Sequence, residues 1–182
     1  MIEQQELSTF IKRLQKRDAG AFEELVERYS GRCYAYFYRL CGNPEQSEEL
    51  VSELFVRLVE KIKTFNGGSF EKWLFTVASN QFRDYLRRQY RYKRLLDEAA
   101  EQQRREEEAD RREHTGEHVI FDRLQWALER LDTETAELLM LRYYSEVGFK
   151  ELAEMRNEPV GTTLSKVHRG LKKLRLMLDD AE

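Results

Sequence analysis

Apolar residues recur at steps of three and four along most of the chain, the spacing of one face of an α-helix. Residues 1–17 keep this spacing, and a longer run extends from Phe22 to Leu40. Two further runs follow, from Leu50 to Ile62 and from about Phe70 to Tyr92. The first half of the chain is therefore predicted to consist of four helices.

Local capping signals mark where two of these helices begin. Asp18 and Asn43 stand just before periodic stretches, and short acceptor side chains at such positions satisfy free backbone N–H groups. Pro44 suits a first helical position, and Gly42 suits the left-handed end of the preceding helix. These signals predict helix starts after residues 18 and 43.

A second group of helices is predicted from about Val119 onward. Periodic segments cover 121–131 and 133–143, a short helix covers 149–156, and a longer one runs from 161 to about 178. The residues between the two groups, 95–118, are dense in Glu and Arg and hold almost no large apolar residue after Leu96. Such a segment cannot build a core, so it is predicted to be a charged linker, either flexible or helical.

Composition supports an all-helical chain of two small domains. The 182 residues include only 2 prolines and 9 glycines, too few for the many corners of a sheet-rich fold. The predicted fold class is all-α, with domains at 1–94 and 119–182, the linker at 95–118, and a helix-turn-helix in the second domain.

Charge is distributed unevenly, although the formal net charge is only −3. Basic residues concentrate in 80–94 and again in 156–175, while acidic residues dominate elsewhere. Two separated basic stretches on a mildly acidic protein favour two contacts with one long polyanion.

The segment 149–174 has the pattern of a helix-turn-helix, in which a polar and basic second helix enters the DNA major groove. Periodicity directs Leu164, Val167, Leu171 and Leu174 inward. The residues predicted to face DNA are Thr162, Thr163, Ser165, Lys166 and Arg169, with Lys172 and Lys173 near phosphates. An ordinary amphipathic helix with a solvated charged face has the same periodicity, so this alternative stays open.

Two segments resemble the extracytoplasmic-function group of bacterial sigma factors. In 149–174 the resemblance rests on Pro-Val-Gly-Thr, on Ser165, Lys166 and Arg169, and on the Lys-Lys pair. In the first half, FEKWLFTVASNQFRDYLRR resembles the family's signature helix, and residues 21–65 resemble its first conserved region. The resemblance implies a promoter-recognition subunit without enzymatic activity.

The resemblance also assigns expected contacts to the first domain. Binding of the core RNA polymerase β′ subunit is expected at Glu48, Glu49, Leu50, Ser52, Glu53, Leu54 and Arg57. The promoter −10 element is expected to contact Phe65, Asn66, Ser69, Phe70, Asn80, Arg83, Arg87 and Arg88. The second domain would bind the −35 element, and the polymerase β subunit and an anti-sigma factor are further expected partners.

The sequence departs from the family pattern at several positions. The turn Arg156-Asn157-Glu158 replaces an apolar-Gly-apolar turn, and Leu164 stands where a cation is frequent. Ser52 replaces a common Gln. The departures in 149–174 favour a −35 sequence that differs from the family norm, and Ser52 is a weaker match to the family's polymerase contact.

No cofactor, metal, small-molecule substrate or membrane insertion is expected, and the predicted location is the cytoplasm. His114 and His118 lie four residues apart, but no fourfold metal-ligand set converges with Cys33 and Cys41. Three alternatives remain: a free-standing duplex-DNA regulator, a helical protein that binds an acidic partner, and a metal-dependent enzyme.

Overall fold

The computed structural model describes residues 2–103 and 123–179, and every regular element within these ranges is helical. The first group of helices is α1 Ile2–Gln15, α2 Ala19–Cys41, α3 Pro44–Lys61 and α4 Phe70–Gln103. The second group is α5 Arg123–Glu129, α6 Thr133–Leu139, α7 Phe149–Arg156 and α8 Val160–Asp179. The predicted all-α class is confirmed.

The predicted helix starts are confirmed by cap geometry. Asp18 Oδ1 accepts a hydrogen bond from the Ala21 backbone N–H at 2.8 Å. Asn43 Oδ1 accepts one from the Gln46 backbone N–H at 2.9 Å. Gly42 ends α2 with φ of 65°, the left-handed conformation that glycine adopts without a Cβ penalty. The tight connection from α2 to α3 therefore follows from local chemistry.

The first group of helices buries an aromatic and aliphatic core. Phe37 of α2, Leu54 of α3, and Phe75 and Phe82 of α4 are fully buried. Several rings of this core meet edge to face or tilted, as in the pair Tyr36–Phe75 at 5.3 Å between centroids, whereas Phe82 stacks on Tyr85 at 6.1 Å. This core fixes α3 and the first half of α4, which carry most of the predicted sites in this half of the chain.

The helix-turn-helix consists of α7, a short turn and α8. Asn157 ends α7 with φ of 52°, so an asparagine takes the left-handed position as its side chain permits. Val167 and Leu174 of α8 are buried as predicted. Gly170 faces α6 so closely that a Cβ built there would lie 2.4 Å from Thr135 Cγ2. The missing side chain therefore sets the approach of α8 to α6.

The second group of helices packs against the first. The Tyr144 hydroxyl donates to the Arg32 carbonyl at 3.1 Å, and Gln125 Nε2 donates to the Tyr38 carbonyl at 3.3 Å. Apolar residues from both groups belong to one continuous buried cluster. The two predicted domains are therefore in direct contact.

Helix α4 continues to Gln103, so the first nine residues of the predicted linker 95–118 are helical. The rest of that segment, with His114 and His118, lies outside the described residues. The predicted boundaries of the two domains remain predictions.

Candidate nucleic-acid and protein interfaces

The outer face of α3 presents acidic and small polar side chains to solvent. Glu48, Glu49 and Ser52 are exposed, whereas Glu53 and Arg57 are half-buried. Leu50 and Leu54, expected among the contact residues, are only 2% and 0% exposed. Their position corrects that expectation, because the spacing of four residues that pairs them also turns both into the core.

Val56 lies in the middle of the same outer face and was not predicted from the sequence. Its side chain is 62% exposed, although Leu54 and Leu58 on either side of it are buried. Ser52 and Glu60, one helical turn away in each direction, are exposed. Val56 was overlooked because the periodic signal marks only the inward face.

A cleft of about 200 Å³ lies between α3 and α4. Its lining residues are Gln46, Glu49, Leu50, Glu53, Tyr85, Arg88 and Gln89. Across it, Arg88 Nη2 lies 3.3 Å from Glu53 Oε2. A predicted DNA contact and a predicted polymerase contact are thus ion-paired with each other.

The loop before α4 carries part of the expected −10 site. Asn66 and Ser69 are exposed and Phe65 is half-buried. Gln15 Nε2 donates to the Phe65 carbonyl at 3.1 Å, which ties the loop to α1. The side chains of Asn66 and Ser69 are therefore accessible on an anchored loop.

Phe70 is a core residue and not part of the exposed loop surface. It is 2% exposed, with its ring 6.3 Å from Phe10, 5.7 Å from Tyr29 and 5.6 Å from Phe65, centroid to centroid. The expectation that Phe70 contacts a base directly is therefore corrected. Its ring is buried and packs edge to face against the ring of Phe65.

The basic part of α4 is only partly free. Asn80 is exposed, and the side chains of Arg87 and Arg88 are 72% and 54% exposed. Arg83 is 21% exposed and pairs with Glu137 of α6, its Nε lying 3.1 Å from Glu137 Oε1. In this arrangement Arg83 belongs to the contact between the two groups of helices.

Glu137 is the centre of that contact and was not singled out by the sequence. Its side chain is 2% exposed and accepts hydrogen bonds from Arg83, from the Ser79 hydroxyl and from Arg156 Nη2, the last at 2.6 Å. Arg83 also donates to the Met155 carbonyl at 3.4 Å. We call Ser79, Arg83, Glu137 and Arg156 the Glu137 network. A buried carboxylate is stable there because two guanidinium groups and a hydroxyl satisfy it.

The exposed face of α8 differs from the predicted one at three positions. Thr162, Ser165, Arg169, Lys172 and Lys173 are exposed as expected. Thr163 is fully buried, and Leu164 is 42% exposed although it was predicted to point inward. Lys166 is half-buried, with its Nζ 2.8 Å from Glu134 and 2.7 Å from Glu158.

The physical reason is that α8 packs against α5, α6 and α7. Residues 163, 167, 170 and 174 form the inward face, so Leu164 falls on its flank. The periodicity of the leucines alone predicted a face centred too near Leu164.

Glu158, the acidic residue in the turn, has a structural role. Its carboxylate accepts from Lys166 Nζ and from Thr163 Oγ1, both at 2.7 Å. The hydrogen bond from Lys166, followed by that from Thr163, holds the pKa of Glu158 below its ordinary value. Glu158 therefore fastens the start of α8 instead of facing DNA phosphates.

The described residues contain no group of three or more His, Cys, Asp or Glu side chains placed to hold a metal ion. Cys33 is buried, and burial raises the pKa of its thiol to about 12. Within 2–103 and 123–179, no helix combines the length and apolar character needed to cross a membrane.

Comparison with protein families identifies both halves of the chain. Residues 25–92 match Sigma-70 region 2, and residues 121–174 match Sigma-70 region 4. The ECF RNA polymerase sigma factor EcfG of Rhodopseudomonas palustris is 31% identical over 151 residues, which is 81% of each chain. SigW of Bacillus subtilis is 28% identical, over 93% of this chain and 95% of its own. SigE of Mycolicibacterium smegmatis is 30% identical over 85% of this chain, which spans 60% of that relative.

Two solved structures share the fold. One is the sigma factor RpoE in complex with the anti-sigma factor NepR from Bartonella quintana, with a TM-score of 0.66 and 22% identity over 87% of this chain and 96% of that one. The other is CnrH in complex with the cytosolic domain of CnrY, with a TM-score of 0.64 and 20% identity over 96% and 97%. At these identities the likeness concerns the fold.

Proposed function

The chain belongs to the extracytoplasmic-function (ECF) sigma factors of bacterial RNA polymerase, and we propose how its surfaces divide the work of promoter recognition. Residues 1–94 bind core polymerase and the −10 element, and residues 119–182 bind the −35 element. Residues 95–118 link them. Transcription initiation is the family's function, and the chemistry of RNA synthesis belongs to the polymerase.

The observation that carries this proposal is the exposed face of α8. Ser165 and Arg169 lie on a helix-turn-helix whose second helix is fastened by Glu158, while Lys172 and Lys173 follow one turn later. In such motifs the second helix enters the major groove, with nearby cations on phosphates. This face therefore offers Ser165 and Arg169 for base edges, and Lys172 and Lys173 for phosphates of the DNA backbone.

The −10 element is assigned to the loop before α4 and to the basic part of α4. Asn66 and Ser69 offer polar groups for base edges, and Phe65 lends an apolar wall. Arg87 and Arg88 are mostly exposed, and each would exchange its surface ion pair, with Asp84 or Glu53, for a phosphate of the displaced strand. Arg83 joins them only after it leaves Glu137.

Core polymerase is assigned to the outer face of α3. Acidic side chains there disfavour DNA and suit a protein partner with basic groups. Val56, 62% exposed among them, provides the apolar centre that a protein interface needs. The β′ and β subunits, promoter DNA and an anti-sigma factor are the proposed partners, and the cytoplasm is the proposed location. No catalytic activity is assigned to the chain.

Run-off transcription on fragmented genomic DNA tests the proposal. Purified core polymerase is used alone, with this protein, and with its Arg169→Ala or Arg175→Ala variant. Defined transcripts are expected only when the protein is present, and Arg169→Ala should reduce them strongly. Arg175→Ala is the matched control, because Arg175 is an exposed arginine further along the same helix.

Two results would contradict the proposal. If the protein shifts duplex DNA by itself but directs no transcript, it is a free-standing regulator. If it neither binds DNA nor directs transcription with polymerase, its basic faces serve an acidic partner instead.

A further inference from the structure

An exposed leucine lies on the helix that faces DNA. Leu164 is the fifth residue of α8 and is 42% exposed, and Val160, one turn earlier, is 46% exposed. The buried face of α8 consists of Thr163, Val167, Gly170 and Leu174 instead, with Gly170 against Thr135 of α6. Leu164 is therefore only partly covered by the core of its own domain.

The side chains around Leu164 are those of a surface that meets nucleic acid. Ser165, His168 and Arg169 are exposed beside it. Lys166, which follows two positions later, is turned away to Glu134 and Glu158. The first two turns of α8 therefore present an apolar patch at Val160 and Leu164, bordered by polar and cationic groups.

The major groove contains one matching apolar group. The residues at the start of a recognition helix contact base edges, and the C5-methyl of thymine is the apolar feature that the base pairs present there. A cation at residue 164 would favour the acceptor atoms of guanine, whereas leucine has no hydrogen-bonding group to offer. The chemistry of this position therefore selects for a methyl group.

We propose that Leu164 reads a thymine methyl group in the −35 element, so that this sigma factor requires thymine at the base step facing residue 164. The inference rests on the proposed function of α8. It adds the chemical identity of one base and the residue that selects it.

Deoxyuridine substitution tests this directly, since uracil differs from thymine only in the methyl group. The −35 element is first defined upstream of the run-off transcripts. Each of its thymines, on either strand, is then replaced by uracil, and binding of the holoenzyme is measured by competition. For the unaltered protein, one position should lose about fourfold in affinity, as expected for one buried methyl group.

The variants decide whether Leu164 is responsible. Leu164→Ala should bind thymine and uracil duplexes equally at that position, and circular dichroism should show an intact fold because alanine favours helices. Leu176→Ala is the matched control: Leu176 is 52% exposed on the same helix, three turns further on. It should keep the full preference for thymine.

The inference is overturned if no thymine in the element responds to loss of its methyl group, or if Leu164→Ala retains the preference. If Leu164→Ala weakens binding to thymine and uracil duplexes by the same factor, the preference is retained and Leu164 contacts something other than the methyl group. Failure of the proposed function is recognised separately, by the absence of any transcript that depends on the protein.

Discussion

At the scale of single residues, Glu158 is a carboxylate at a turn position where the family pattern has an apolar residue. It binds Lys166 and Thr163 together, and so it joins the turn to the first two turns of α8. The same contact, with a second one to Glu134, holds the Lys166 ammonium group against two carboxylates. An acidic residue close to a DNA-binding helix is thus compatible with binding, because its charge is already neutralised.

This contact predicts a pH dependence of stability. The pKa of Glu158 is lowered in the folded state, so its contribution is complete above the ordinary value of 4.5 and is lost as pH falls through the folded-state pKa. Glu158→Gln should therefore lower the free energy of unfolding at pH 7, with a difference from the unaltered protein that shrinks below pH 4.5. Urea titrations from pH 7 to pH 3.5 measure it; a difference independent of pH would contradict the assignment.

The Glu137 network gives a second prediction at this scale. Glu137→Gln removes the buried counter-charge of Arg83 and Arg156, whose side chains are 21% and 13% exposed, and leaves Arg156 only its longer ion pair with Glu134 at 3.6 Å. Removing one partner from a buried pair costs about 3 kcal/mol.

Equilibrium urea denaturation at pH 7 should show that loss. Glu134→Gln is the matched control, three residues away on α6 and 50% exposed, and it should cost less than about 1 kcal/mol. Equal effects of the two substitutions would show that burial of Glu137 contributes nothing.

At the scale of elements, the contact of α6 with α8 depends on Gly170. Alanine is a better helix former than glycine by up to about 1 kcal/mol. Its Cβ would, however, meet Thr135 Cγ2 at 2.4 Å, and overpacking costs about 1–3 kcal/mol. Gly170→Ala should therefore lower stability by about 1 kcal/mol, as measured by thermal or urea unfolding.

Thr135→Ser removes the methyl group that causes this clash and keeps the hydroxyl. In that background, Gly170→Ala should become neutral or stabilising. Gly161→Ala, with no atom within 4 Å of the new Cβ, serves as the open-space control. Destabilisation of equal size with and without Thr135→Ser would show that the clash is not the cause.

The outer face of α3 supports a prediction on binding. Val56→Glu adds a charge at the apolar centre of the proposed polymerase contact and should weaken binding to core polymerase about thirtyfold, the size typical of an interface hot spot. Val26→Glu, at a valine 42% exposed on α2, is the control and should bind normally. Fluorescence anisotropy of labelled protein measures the affinity of each variant for core polymerase. Equal affinities of the two variants would show that the outer face of α3 does not bind polymerase.

At the scale of the whole molecule, the features that the sequence predicts correctly are those set by residues close together in the chain. The caps at Asp18 and Asn43 are formed with residues three positions away, and the helices between them follow from periodicity. The packing of the second group on the first joins residues far apart, 54 positions for Arg83 and Glu137. Nothing local marks such pairs, because an acid between Ala136 and Leu138 resembles any solvated residue of an amphipathic helix.

The candidate sites were also predicted correctly where the prediction depends on local sequence, and incorrectly where it depends on packing. The exposed residues of α8 were largely predicted, since sequence spacing fixes which residues share a face. Which face turns inward depends on the neighbouring helix, and so Thr163 and Leu164 were placed incorrectly. The incorrect assignment of Leu50, Leu54 and Phe70 as contact residues has the same cause. Each was assigned from its position in a motif, whereas its packing buries it.

The position of Arg83 in the Glu137 network makes two uses of one guanidinium mutually exclusive. While it serves the carboxylate, it is withheld from the proposed DNA strand, so strand capture requires an exchange of partners. Release of Arg83 from Glu137 is then, under the proposed function, a unimolecular step before promoter opening. Under the proposed function the rate of this step does not depend on the concentrations of polymerase and DNA, and a ligand that stabilises the Arg83–Glu137 pair would slow transcription without touching DNA.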